Sequence, residues 1–341
     1  MPLLWIFTVA GIERSAVGSA EAKWQASLQI GGQPFLLQSA VANARRTALV
    51  RPTLLYYAPL LKSALQKAIR RRHAAPAVAI AYQFLRQEPV EFLRRLPIYM
   101  LEDTYLQPRA LVRCMWLMCA VYKGWRLTEA DIRFLLGVVQ VLCTLDYKER
   151  LNRSPCDGLE DALRGLKAPL SPLEAGAVAT WVRSEFGGLK GDMAFLRNLA
   201  SVWLERDAEG WELEEAAEES WTGAFPGEEG LYLLEGVDFH CYPHLRKTLI
   251  GMGWRGGREM DEETFRQQMW IGQSGVNRRS WLFEDGEGEG GSDTEAEERK
   301  EAKVVMTAVR PFLETFARQA WLPQKAPKTI AAYFVASSGR A

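Results

Sequence analysis

Histidine is scarce in this chain, with three residues in 341, and two of the three fall in one short segment. Outside that segment the sequence offers no second cluster of metal ligands. The five cysteines, Cys114, Cys119, Cys143, Cys156 and Cys241, form an odd set without a C-x-x-C pair. That argues against both a disulfide framework and a zinc module. Cys114, Cys119 and Cys143 lie inside apolar helical runs, where a thiol serves as a small buried hydrophobe, and the pattern fits an intracellular, reducing compartment. No G-x-x-x-x-G-K-[S/T] phosphate loop occurs, so ATP hydrolysis through that backbone cradle is excluded. A nucleophile elbow and a cysteine-protease signature are also missing, and no cofactor is indicated. The apolar stretch 2–12 is too short to span a bilayer and lacks a basic lead-in. Despite the small residues Gly18 to Ala20 behind it, it reads as a buried strand rather than a signal peptide, and no membrane partner is expected.

Acid is also missing locally. Between Ala22 and Gln87 there is no Asp or Glu, yet the span carries Lys23, Arg45, Arg46, Arg51, Lys62, Lys67, Arg70, Arg71, Arg72 and Arg86. In a chain whose formal net charge is zero, this is segregation of charge. The positive potential favours nucleic-acid backbone or an acidic partner, and Arg45, Arg46, Lys62, Lys67, Arg70, Arg71 and Arg72 are the candidate contacts. The opposite segregation follows between Glu205 and Glu235, where eleven acids face the single base Arg206. Those acids compete with any outside partner for the cations.

A hydrophobic fraction of 48% with 25% charged residues is that of a globular protein and excludes global disorder. Leu4 to Val9 is a compact apolar run, and Trp24, Ala26, Leu28 and Ile30 alternate at period two before Gly31-Gly32, which predicts a small N-terminal β element over 1–52. From Leu54 the period becomes helical, with helices predicted near 54–73, 76–87, 89–104, 108–123, 128–148, 157–166, 172–186 and 191–206. Thr128 with Asp131, and Ser171-Pro172-Leu173-Glu174, carry helix-start signals, and Gly187-Gly188 a stop. Short connections predict a mainly α fold, a multi-helix orthogonal or antiparallel bundle over 53–206. Its expected core includes Ile80, Phe84, Phe92, Leu96, Leu111, Met115, Leu135, Val139, Leu142, Trp181, Leu196, Leu199 and Trp203. The region 207–341 reads as α-rich, with an acidic, glycine-rich disordered loop over 284–299. An amphipathic helix through Val305, Val309 and Leu313 then docks on the body, and Pro311 is expected to kink it.

Ser63-Ala64-Leu65-Gln66-Lys67-Ala68-Ile69-Arg70 is followed by an alanine-rich helix, then Glu88-Pro89, Phe92-Leu93-Arg94-Arg95-Leu96, Glu102-Asp103, Leu106 and Pro108-Arg109-Ala110-Leu111. This order resembles the helical region behind the ATPase module in the replication-associated recombination protein A family, which includes the Werner-helicase-interacting ATPases. The resemblance covers residues 63–111. The chain departs from that pattern at Arg71-Arg72-His73 and Thr104-Tyr105, and it has no motor. The resemblance implies a clamp-loader-like helical collar and DNA or replication and repair proteins as partners. Arg94, Arg95, Glu102 and Asp103 are expected to form a polar network that locks neighbouring helices by charge-assisted hydrogen bonds. The alternative is that they present a polar interface surface.

Three further candidates remain. Asp238, His240 and His244 could bind a metal, although Pro243 breaks any single helix through both histidines. Ser274, Gly275, Asn277, Arg278 and Arg279 have an anion-binding loop composition. Among the twelve tryptophans, Trp254 and Trp281 are the least committed to apolar patterns and are candidate stacking platforms. The leading expectation is a non-enzymatic accessory or assembly factor in DNA replication, recombination or repair. The second is an enzyme acting on a phosphorylated or nucleic-acid substrate, with Asp238, His240, His244 and Arg278 converging. The third is an oligomerisation module that pairs with further copies of itself.

Overall fold

The computed structural model describes residues 4–15, 18–148, 158–212, 220–227, 239, 244–274, 280–281, 293–321 and 324–325. The fold is mainly α, with a small N-terminal sheet: strands β1 (Leu4–Phe7), β2 (Ile12–Ser15), β3 (Trp24–Ile30) and β4 (Gln33–Ser39). Eleven α-helices follow among the described residues. They are α1 (Ala58–Arg70), α2 (Ala74–Gln87), α3 (Pro89–Asp103), α4 (Pro108–Tyr122), α5 (Glu129–Thr144), α6 (Leu159–Gly165), α7 (Pro172–Glu185), α8 (Lys190–Ala208), α9 (Leu245–Gly251), α10 (Glu262–Ser274) and α11 (Asp293–Trp321).

These elements form two compact units. The first comprises Met1–Leu49, Pro89–Thr222 and Trp281–Phe283, and the second Val50–Glu88, Gly223–Ser280 and Glu284–Ala341. This corrects the linear partition at 52 and 206 expected from the sequence, because α1 and α2 group with the C-terminal helices rather than with α3–α8.

In the first unit the sheet order is β2-β1-β4-β3, with β1 antiparallel to β2 and parallel to β4, and β3 antiparallel to β4. The β3–β4 hairpin turns on Gly31 (φ 54°) and Gly32 (φ 73°), left-handed at both positions as a type I′ turn requires. Gly31 has a second reason to lack a side chain, since a Cβ there would lie 2.4 Å from Trp181. Phe35 of β4 stacks on Trp5 with ring centroids 5.8 Å apart and meets Trp181 of α7 at 6.1 Å. The sheet thus packs its aromatic face on the helices. Helix α4 lies against α3 and α7, and α7 against α8. The expected core residues of this unit, from Phe92 to Trp203, are buried.

The helix-start signals act as read. Thr128 and Asp131 complete a capping box at α5, and Ser171 and Glu174 another at α7, with Pro172 in the first turn. Helix α3 runs through Pro97 without ending.

In the second unit α1 packs on α2, where Ile80 and Phe84 are buried, and α10 packs on α11. Leu60 of α1 joins Leu245, Leu249, Trp254, Phe265, Met269, Val309 and Leu313 in one apolar cluster. Helix α11 therefore docks through the stripe the sequence predicts, and it continues through Pro311. It also begins at Asp293, which corrects the expected disordered loop over 284–299: residues 293–299 are helical, and 284–292 lie outside the described residues. Acidic residues in a first turn complement the helix dipole, and Glu295 stands four residues before Arg299, a spacing that favours helix. Residues 54–55 pair antiparallel with 324–325, so α1 starts at Ala58 rather than 54.

Candidate functional site

The acid-free span does not lie in one unit. Lys23, Arg45 and Arg46 belong to the first and Lys62, Lys67 and Arg70 to Arg72 to the second, so the single basic surface expected from the sequence is not one element of structure. The second group is also engaged within the chain. Lys67 is buried at 6% exposure, and Lys62, Arg70 and Arg71 are half-buried. None of Lys62, Lys67, Arg70, Arg71 and Arg72 is without an interaction within the chain. Arg72 has a structural task as well. It takes a left-handed conformation (φ 63°) while its N–H donates to Ile69 O and the N–H of His73 donates to Ala68 O, closing α1 with a Schellman motif. Lys67 and Arg70 to Arg72 thus belong to the C-terminal end of α1, with Lys62 nearer its start, and of the five only Arg72 is exposed.

The first group is different. Arg45 and Arg46 sit in an exposed segment that is clamped onto the turn between α4 and α5, mainly by side chains bonding to backbone. Asn43 Nδ2 donates to Gly124 O at 2.9 Å and Asn43 Oδ1 accepts from Arg126 N at 2.9 Å. Ala48 N donates to Leu127 O at 2.9 Å, and the Arg126 guanidinium donates to Ala44 O at 3.2 Å and to Arg45 O. Lys123 and Arg126 are exposed in the same turn, so four cations share one clamped region.

The nearby acids are occupied elsewhere. Glu129 pairs with Arg133 at 2.8 Å, and the carboxylate of buried Asp131 accepts from Thr128 N (2.9 Å), Thr128 Oγ1 (2.9 Å) and Trp125 Nε1 (3.2 Å). The turn is anchored from below by three indoles. Trp125 meets Trp116 at 5.2 Å and Trp24 at 5.1 Å, and Trp24 meets Trp116 at 6.0 Å, all edge-on. Sequence reading found Arg45 and Arg46 but missed Lys123 and Arg126, because they lie outside the acid-free window. The available signal was the short Lys123-Gly124-Trp125-Arg126 turn, with two cations around a glycine.

The polar network expected around Arg94, Arg95, Glu102 and Asp103 is assembled within the first unit. Arg94 pairs with Glu91 at 2.6 Å and donates to Gly187 O at 3.0 Å. Arg95 reaches Glu102 at 3.8 Å and Asp192 of α8 at 3.7 Å, and lies over the Tyr99 ring at 5.3 Å. Asp103 is buried. A residue the sequence did not single out completes the lock: Arg183 of α7 donates from Nε to Arg94 O at 2.6 Å and from Nη1 to Gly187 O at 3.0 Å. Burial pushes Arg183 down to about 10, and the like charge of Arg94 adds to the shift. These contacts tie α3 to α7 and α8.

No family model, curated protein or solved structure matches this chain.

His244 is exposed at the start of α9, with φ 63°, while Asp238 and His240 lie outside the described residues. Among the described residues no group of three or more His, Cys, Asp or Glu is placed to hold a metal ion. Ser274 ends α10, and its side chain, together with Gly275, Asn277, Arg278 and Arg279, lies outside the described residues. Trp254 is core rather than platform, packed on Phe265 at 5.3 Å, and the Trp281 side chain is not among those described. Cys114, Cys119 and Cys143 are buried thiols, and burial pushes the Cys119 thiol up, which disfavours its reactive thiolate. No described helix is long and apolar enough to cross a membrane.

Proposed function

We propose that this chain is a non-enzymatic accessory or assembly factor that binds a polyanion, nucleic-acid backbone or an acidic protein segment, through Arg45, Arg46, Lys123 and Arg126. The observation that carries this reading is the clamp itself. Hydrogen bonds between 43–48 and 124–127 hold four exposed cations together while Glu129 and Asp131 are bound to other partners. A pre-assembled cation cluster attracts phosphates without base readout, and its affinity falls steeply with salt. The resemblance over 63–111 supports a setting in DNA replication, recombination or repair, with replication or repair proteins as further partners.

The test is an electrophoretic shift with single-stranded and forked DNA at about 50 mM salt, repeated as salt rises. If all four cations meet phosphates, the log–log salt slope on single strands is about −3, and Arg45→Ala/Arg46→Ala roughly halves it. No retardation of either DNA by the folded protein, or a slope unchanged in the double variant, would overturn nucleic acid as the ligand.

A further inference from the structure

Strand β3 is an edge, hydrogen-bonded to β4 on one side and to no described strand on the other. Its geometry says which backbone groups face outward. In a two-residue type I′ hairpin the closing pair, Ile30 and Gln33, exchanges both hydrogen bonds. Antiparallel alternation then assigns inward bonding to Leu28 opposite Phe35, Ala26 opposite Leu37 and Trp24 opposite Ser39. The N–H and C=O groups of Gln25, Ser27 and Gln29 therefore point away from β4. Pro34 agrees with this register, since it stands opposite Gln29, where β3 asks for no donor.

Natural edges are blunted by shortness, charge, proline or bulges. The far edge of this sheet follows that rule: β2 has four residues and carries Glu13 and Arg14. Strand β3 has seven residues from Trp24 to Ile30, with no charge and no proline among them. Its burial is also graded. Leu28 and Ile30 are buried, whereas Trp24 and Ala26 are half-buried, leaving apolar surface at the Trp24 end that one more strand would cover.

That same end meets the cations. Lys23 is exposed immediately before β3, and the Trp24 ring lies 5.1 Å from Trp125, the neighbour of Arg126. We propose that the free edge of β3 receives an extended segment of an acidic partner protein. The segment pairs backbone to backbone with Gln25, Ser27 and Gln29, and its carboxylates run past Trp24 onto Lys23, Arg45, Arg46, Lys123 and Arg126. Main-chain bonds supply the docking and the cations select an acidic chain. This rests on the polyanion-binding reading for its charged half and on the sheet register for the other.

The test uses two fluorescent peptides, each joining four glutamates to six alternating valines and threonines, with the glutamates at opposite ends. Fluorescence anisotropy should find one order binding at least tenfold more tightly than the other, because only one places the acids at the Trp24 end. Bound peptide should slow hydrogen exchange at the amides of Gln25, Ser27 and Gln29 and leave those of Ala26 and Leu28, already bonded to β4, unchanged. Ser27→Pro, which removes an outward donor only, should abolish peptide binding while DNA retardation persists. Arg45→Glu/Arg46→Glu should weaken both.

Equal affinity for the two orders, no added protection at those three amides, or peptide binding that survives Ser27→Pro in folded protein overturns the edge. So does a concentration-dependent mass in light scattering that Ser27→Pro removes, which would make a second copy the occupant. Absence of binding by either peptide also overturns it and points to the chain's own acidic segment. If peptide binds as described but DNA does not, the edge stands and nucleic acid falls as the ligand of the patch. If Ser27→Pro does not fold, the exchange pattern in the wild type decides.

Discussion

Removing the Asp131 carboxylate tests how the cation cluster is held. Asp131 is 7% exposed and accepts three hydrogen bonds on one oxygen, from Trp125 Nε1, Thr128 N and Thr128 Oγ1. In Asp131→Ala the cap loses its reciprocal half, a loss of about 1 kcal/mol. Trp125, at 4% exposure, keeps a buried N–H with no acceptor, a further cost of about 1–3 kcal/mol. The sum is about 2–4 kcal/mol, and in a unit of this size each kcal/mol lowers the melting temperature by about 2–4 °C. Differential scanning calorimetry and urea denaturation would measure it. A double-mutant cycle isolates the cause, because Trp125→Phe removes the orphaned donor, so the pair should be less destabilising than the sum by roughly 1 kcal/mol. An Asp131→Ala cost below about 1 kcal/mol, or strict additivity with Trp125→Phe, refutes the argument that this carboxylate fastens the turn.

Two more outcomes follow from the geometry. Arg72 adopts a conformation that costs a non-glycine residue about 1 kcal/mol, so Arg72→Gly should exceed Arg72→Ala in stability by that amount in urea, and equality would remove the strain argument. Arg183 is held below its unfolded value, at about 10, so around and above that pH the unfolded chain binds more protons and stability rises with pH on this residue's account. The stability difference between wild type and Arg183→Met should accordingly shift toward the wild type from about pH 9 to 11, and an unchanged difference would count against a buried guanidinium.

Much of the fold is legible in the sequence wherever a local rule decides. The caps at Thr128 and Ser171 and the Gly31-Gly32 turn are short-range chemistry, and they stand where the pattern puts them. The apolar stripe through Val309 and Leu313 is buried for the same reason. What the pattern could not supply is membership. The acid-free window is continuous in sequence, but it crosses the unit boundary at Leu49 and Val50, so adjacency in charge does not become membership of one unit. Lys67 shows the other limit: its neighbours Leu60, Ala64 and Ala68 bury one face of α1, and its long stem goes down with them while composition sees only a cation. Lys123 and Arg126 join Arg45 and Arg46 through hydrogen bonds across some eighty residues of sequence, which no local period encodes.

The interleaving of the two units governs how the chain is made. All three of the helices that pack with Leu60 in the second unit, α9, α10 and α11, are translated after the whole of α3 to α8. During synthesis the first unit is complete by Thr222 but for Trp281–Phe283, whereas the α1–α2 hairpin emerges early and waits about 250 residues for Val309 and Leu313. Through that interval a nascent chain carries the apolar flank of α1 without the three helices that cover Leu60 in the finished unit.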